Sequence, residues 1–153
     1  MPGDRADAFA TGEARYRAGA YAEAAAIFRE FHDAGPDNAR AARMLGLCRL
    51  RLGEVAEALS LLDRARTLAP SDAYAQLHYG LGLHAVGRHT EAAVQFRLCA
   101  KLLPSDPAPY LNLSTVLLAL GDTHGALDAA RRAWRRAKAG PGRVHGRDGV
   151  PRL

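Results

Sequence analysis

The chain is written in Ala- and Leu-rich runs of about 14 residues, long enough for helices of nearly four turns and long for ordinary strands. Two kinds of punctuation separate the runs, and they alternate. One is a single glycine, at Gly19, Gly53, Gly87 and Gly121; the other is a proline with polar residues behind it, at Pro36-Asp37-Asn38, Pro70-Ser71-Asp72 and Pro104-Ser105-Asp106. A glycine supplies the left-handed backbone that ends one helix and lets the chain reverse. A proline cannot continue a helix, and Ser, Asp or Asn after it can cap the next one. The pattern predicts helical hairpins in tandem, with glycine inside each hairpin and proline between them.

The spacing is regular at 34 residues. The four glycines form one column, and Ala24, Ala58, Ala92 and Ala126 form a second, five residues later. Gly12, Gly46, Gly80 and Ser114 are a column of small residues, Phe28, Leu62, Phe96 and Ala130 a mostly bulky one, and Pro36, Pro70 and Pro104 a terminal one. A full glycine column arises by chance about once in ten thousand registers. Small residues such as Gly46 and Ala58 let the paired helices approach closely, while Leu45 and Leu62 fill the space between them. The units are 5–38, 39–72, 73–106 and 107–140, followed by a basic flexible tail, 141–153. The first helix of unit one and the end of unit four match the columns least well.

In unit two, Leu45-Gly46, Gly53, Ala58, Leu62, Ala65 and Pro70 resemble the signature positions of the tetratricopeptide repeat. The resemblance extends over all four units. It implies an all-α fold, a right-handed α-solenoid of four helix-turn-helix repeats whose first helices line a concave groove. Thr11 in unit one, and Ala130 and Lys138 in unit four, depart from the family pattern. The family's solvating last helix is not readable after Gly140, so Leu127, Ala130 and Trp134 are expected to form an uncovered face open to self-association, with a homodimer or a partner contact through this end as the outcome.

The resemblance places the partner-binding groove on Phe9, Glu13, Tyr16 and Arg17 of unit one and on Arg40, Arg43, Met44, Leu47, Leu50 and Arg51 of unit two. Unit three contributes Tyr74, Leu77, His78, Leu81 and His84, and unit four Leu111, Asn112, Thr115 and Leu118. Leu47 and Leu81 are expected to face the concavity, and Arg43 or Arg51 to meet an acidic residue. Some family members clamp the C-terminal carboxylate of heat-shock chaperones with Lys, Asn and Arg on successive first helices. Here those positions read Phe9 and Glu13, Met44, then Tyr74 and His78, and none matches. A groove rich in Leu, Tyr and Met suits a helical or extended apolar segment of a protein or peptide, so a non-catalytic adaptor or scaffold is the first expectation. A chaperone of the type III secretion class, similar in its short array and in Tyr16-Arg17-Ala18-Gly19-Ala20-Tyr21-Ala22-Glu23-Ala24, is the alternative.

Composition agrees with helices: Ala and Leu supply 32 and 21 residues, whereas Ile, Val and Thr together supply 12. The net charge of +5 is unevenly placed, because residues 131–153 hold eight basic side chains and one acidic, Asp148. Such a tail could grip phosphate, and a nucleic-acid- or anion-associated regulator is the third reading. Nucleic acid is disfavoured as a partner, since four of these arginines close a helix, where cations complement the macrodipole. Neither a membrane span nor a signal peptide is readable, and a cytoplasmic location is expected. Cys48 and Cys99 are too few for a disulfide framework and read as core atoms. The six histidines lack ligand spacing, so no metal or other cofactor is expected, with His78 and His84 read as satisfied groove or core histidines. The glycines of Gly82-Leu83-His84-Ala85-Val86-Gly87-Arg88-His89-Thr90 resemble a phosphate loop only distantly, with Arg in place of Lys, and no catalytic set stands out. An enzyme is not expected.

Overall fold

The computed structural model describes residues 2–140; the 141–153 segment, where the basic tail was placed, lies outside the described residues. Among the described residues eight helices follow one another: α1 (Pro2–Arg17), α2 (Tyr21–Ala34), α3 (Ala39–Arg51), α4 (Val55–Leu68), α5 (Ala73–Ala85), α6 (His89–Leu102), α7 (Ala108–Ala119) and α8 (Thr123–Ala139). Gly19, Gly53, Gly87 and Gly121 sit at φ between +80° and +84° in the turns inside the hairpins. Each turn closes in the same way. In the first, Gly19 N donates to Tyr16 O at 3.0 Å and Ala20 N to Arg15 O at 2.9 Å; in the second, Gly53 N donates to Leu50 O and Glu54 N to Arg49 O. These paired bonds satisfy carbonyls that the helix end would leave bare, and they need the left-handed residue that glycine provides.

The small-residue column works through space rather than through φ. A Cβ at Gly12 would stand 2.9 Å from the Phe28 ring, at Gly46 2.8 Å from Leu62 Cγ, and at Gly80 2.7 Å from the Phe96 ring. Each hairpin is thus closed by a bulky side chain seated on a bare backbone. Unit four closes differently: Ser114 stands in the glycine column, Ala130 replaces the bulky residue, and Ser114 Oγ donates to Ala126 O at 2.8 Å.

Between hairpins, Asn38, Asp72 and Asp106 accept from the backbone amides of Ala41, Tyr74 and Ala108 at 3.0, 2.9 and 2.8 Å. The prolyl carbonyls at these turns are taken by side chains of later units. Arg64 Nε donates to Pro36 O, Gln76 Nε2 to Pro70 O and Arg136 Nε to Pro104 O. Consecutive helices pack on one another, and α3 touches α5 and α5 touches α7, whereas the even-numbered helices make no comparable contacts with each other. The odd-numbered helices are therefore the inner layer of a helical-repeat solenoid, and the even-numbered helices splay on the outside. Phe28, Leu45, Leu62, Leu83, Phe96 and Val116 are fully buried between the layers. Cys48 and Cys99 lie among them as free thiols, pushed up to about 11 and about 12 by burial, out of the range of a thiolate nucleophile. No helix among the described residues is long and apolar enough to cross a membrane.

Two substitutions separate the two glycine roles. Gly53→Ala, with open space around the new methyl, carries only the left-handed strain of ~1–2 kcal/mol. Gly46→Ala forces Leu62 aside and costs ~1–3 kcal/mol by overpacking. In both, urea melts should show a lower midpoint with unchanged helix content. Hydrogen exchange of the wild type should protect α3 to α6 most, because those helices have neighbours on both sides and the terminal hairpins fray first.

Candidate functional site

The inner face is built by α1, α3, α5 and α7, and the residues expected to line it divide into three groups. Phe9, Met44, Leu47 and Leu77 belong to the core: Leu47 is 6% exposed, and the Phe9 ring lies 5.0 Å from both Phe28 and Phe31. The expectation that Leu47 faces the concavity is corrected accordingly. The packing of α3 against α2, α4 and α5 closes over this part of its surface. Glu13, Tyr16, Arg43, Leu50, His78, Leu81, His84 and Asn112 are half-buried. Arg17, Arg40, Arg51, Tyr74, Leu111, Thr115 and Leu118 are exposed, with Leu118 the most open leucine at 58%.

The polar members of this face are tied from one unit to the next. Arg40 pairs with Glu13 at 2.5 Å and also lies over the Phe9 ring at 4.3 Å. Arg51 Nε donates to Tyr16 Oη at 3.3 Å. Arg43 stands 3.9 Å from Asp72 and 3.4 Å from His78 Nδ1, and Tyr74 Oη donates to Asp106 at 2.9 Å. Arg40 with Glu13 and Phe9, Arg51 with Tyr16, and Arg43 with His78 cross between consecutive units, whereas Asp72 and Asp106, which cap α5 and α7, are held by Arg43 and Tyr74 of their own units. Arg43 is enclosed between Asp72 and His78, so it does not offer itself to an incoming acid as expected. Arg17, Arg40 and Arg51 are the exposed cations of this face, Arg40 being paired with Glu13. Burial, with the Arg43 guanidinium beside it, pushes the His78 imidazole down to about 4.

A histidine pair escaped the sequence reading. His84, at the end of α5, and His89, at the start of α6, meet across the Gly87 turn with their Nδ1 atoms 3.0 Å apart and ring centres 4.9 Å apart. Their five-residue spacing fits no helical ligand pattern, and only the tight turn brings them together. Burial and the neighbouring His89 lower the His84 imidazole. No group of three or more His, Cys, Asp or Glu among the described residues could hold a metal ion.

On α8, Trp134 is 62% exposed with Lys138 Nζ 5.0 Å above its ring; Leu127 is exposed and Ala130 half-buried. Two stacked layers of helices, the inner one carrying open leucines and cations, define the class: a helical-repeat solenoid.

Comparison with known proteins makes this specific. Residues 9–73 and 50–108 match the tetratricopeptide repeat family model, and the chain belongs to that family of protein–protein interaction modules, in general non-catalytic. No curated protein matches the chain. Among solved structures, it is similar to MamA 41-end from Desulfovibrio magneticus RS-1, with a TM-score of 0.77, 18% identity, and 90% of this chain and 78% of that one covered. A crystal structure of MamA aligns with a TM-score of 0.74 at 20% identity over 90% and 81%, and MamA AMB-1 with 0.72 at 22% over 87% and 79%. At these identities the likeness establishes the shared fold.

The depressed His78 imidazole gives a pH test. Its folded value lies below the ordinary one, so the unfolded chain takes up the proton first as pH falls. Stability is full above about 6.5, declines between about 6.5 and about 4, and levels off below, with a slope of at most ~1.4 kcal/mol per pH unit. Urea midpoints from pH 7.5 to 4 should follow this window in the wild type, and His78→Gln should flatten it.

Proposed function

We propose that the inner face of the array binds an apolar segment of a protein partner, the four units 5–38, 39–72, 73–106 and 107–140 acting as one binding body and the protein serving as an adaptor or scaffold without catalysis of its own. The observation that carries this is on α7, where Leu111 and Leu118, two turns apart on the helix that ends the inner layer, are 55% and 58% exposed. Leucines at that spacing form a strip that a helical or extended partner segment can cover. Tyr74 continues the strip towards α5, and Arg51 and Arg17 supply positive charge for an acidic residue further along.

Leu118→Glu is the direct test. The side chain is exposed and outside the buried core, so the melt should move by no more than ~0.5 kcal/mol. Affinity capture with mass spectrometry should recover partners with the wild type and lose them with the variant. Equal recovery by both would place binding elsewhere.

Self-association through α8 is the second contact this reading includes, supported by the exposure of Leu127 and Trp134. Arg131 and Arg135 flank the tryptophan, so two copies meeting there bring like charges together, and screening should help them. Light scattering should show a dimer that strengthens with salt and is lost in Trp134→Glu. A monomer at all concentrations would overturn it.

A further inference from the structure

The 34-residue repeat lets one inter-repeat gap serve as the control for the next. Between α4 and α6, the outer side of the array holds a small cleft of about 260 Å³ lined by Arg66, Tyr79, Glu91 and Gln95. The equivalent gap between α6 and α8 holds about 470 Å³, and the same four columns there read Ala100, Leu113, Gly125 and Ala129. Every one of the four is smaller. In the first gap the Arg66 guanidinium lies 4.1 Å over the Tyr79 ring and fills the space; in the second both members of that stack are gone. Four of the six lining columns are thus smaller in the second gap, with the Leu83 column kept as Leu117 and the Val94 column read as Asp128, while the helices that frame the gap recur.

What is left has a definite chemistry. The floor is apolar, formed by Ala100, Leu113, Leu117 and Ala129, all nearly buried. One wall is the Tyr110 ring, held in place by Arg136, whose Cζ lies 4.1 Å above it and whose guanidinium donates to Tyr110 Oη at 3.3 Å. At the rim, Asp122 is engaged with the Gly125 amide and Asp128 with Arg132, whereas Arg97 and Lys101 have no hydrogen bond or ion pair among the described residues. The cleft offers a volume within the range of side-chain and small-ligand sites, an aromatic wall and two cations unengaged among the described residues.

We infer that this α6–α7–α8 cleft is a second binding site, on the opposite side of the array from the inner face, and that it takes a bulky aromatic side chain carried on an acidic segment of a partner protein. Charge decides among occupants. Trp134 of a second copy arrives between Arg131 and Arg135, and the chain's own 141–153 segment brings Arg143, Arg147 and Arg152, so both put positive charge against Arg97 and Lys101. An aromatic residue flanked by Asp or Glu satisfies the rim and the floor together.

The test titrates the ¹⁵N-labelled protein with two synthetic tripeptides, acetyl-Asp-Trp-Glu-amide and acetyl-Lys-Trp-Lys-amide. The acidic peptide should shift the amides of Leu113, Gly125 and Ala129 in a saturable way, and the basic one should bind at least tenfold more weakly. Ala129→Gln restores the residue that stands at this column as Gln95, so it refills the cleft with a side chain the repeat already accommodates; affinity should fall at least tenfold with the rest of the spectrum unchanged. Lys101→Glu, at an exposed rim position, should reduce or reverse the preference between the peptides. Identical titrations of wild type and Ala129→Gln, equal binding of the two peptides, shifts confined to α1, α3, α5 and α7, or no saturable shift at millimolar peptide would each overturn the inference. Leu118→Glu, which tests the inner face, should leave this titration unchanged, so the two sites stand or fall separately.

Discussion

The contact on which the rest of the molecule depends is the seating of a large side chain of one helix against the bare backbone of its hairpin partner. Phe28 on Gly12, Leu62 on Gly46 and Phe96 on Gly80 leave no room for even one methyl group, so the helices of a hairpin approach as closely as their backbones permit. That approach fixes the hairpin as a rigid wedge. Wedges stacked through their odd-numbered helices leave the even-numbered ones apart, and the difference produces an inner face where side chains from successive units meet and outer gaps where they do not. Both proposed binding surfaces follow from this inequality between the layers.

Because the inner helices touch, the inner face is not a free lining. Arg40 with Glu13, Arg51 with Tyr16 and Arg43 with His78 join one unit to the next, and Arg43 with Asp72 and Tyr74 with Asp106 hold the residues that cap α5 and α7. Exposed pairs of this kind contribute little stability one at a time. Their collective effect is on orientation: the contacts across the first three units restrict how far those units can twist relative to one another, and the Tyr74 bond to the Asp106 cap ties α5 to the start of α7. A partner segment would meet a face already set, which lowers the ordering entropy that binding must overcome.

Much of the fold was legible in the sequence because its determinants are single residues with local consequences. Glycine at a left-handed turn and proline followed by a capping Asp or Asn act within a few residues, and their recurrence every 34 positions exposes the repeat. The site was less legible. A column identifies equivalent positions but not how deeply neighbouring units cover them, which is why Leu47 and Leu77 lie in the core while Leu118, in the last inner helix, is open. The His84–His89 contact spans a turn whose width only the Gly87 geometry sets. The outer cleft was present in the columns as Glu91 giving way to Gly125 and Gln95 to Ala129, yet nothing in the spacing says that these two columns, with those of Arg66 and Tyr79, border one gap.

Unit four departs from the pattern in two ways that differ physically. At Ser114 and Ala130 the bulky side chain is lost, and the Ser114 hydroxyl bonds the Ala126 carbonyl on the partner helix, so the hairpin gains a hydrogen bond in its place. At Ala100, Leu113, Gly125 and Ala129 the sizes decrease, and residues that are larger than their counterparts one repeat earlier, among them Arg97, Lys101 and Tyr110, stand at the rim and wall and leave about 470 Å³ open. Compensated change is what maintaining a fold requires. Uncompensated change forfeits packing contacts and is poorly explained as a stabilising feature of the isolated chain. The loss also falls beside Arg97 and Lys101, cations without partners among the described residues, at a gap framed by the most basic helix of the array. Space without filling and charge without pairing at one place are two deficits that a single acidic, aromatic partner group would make good together.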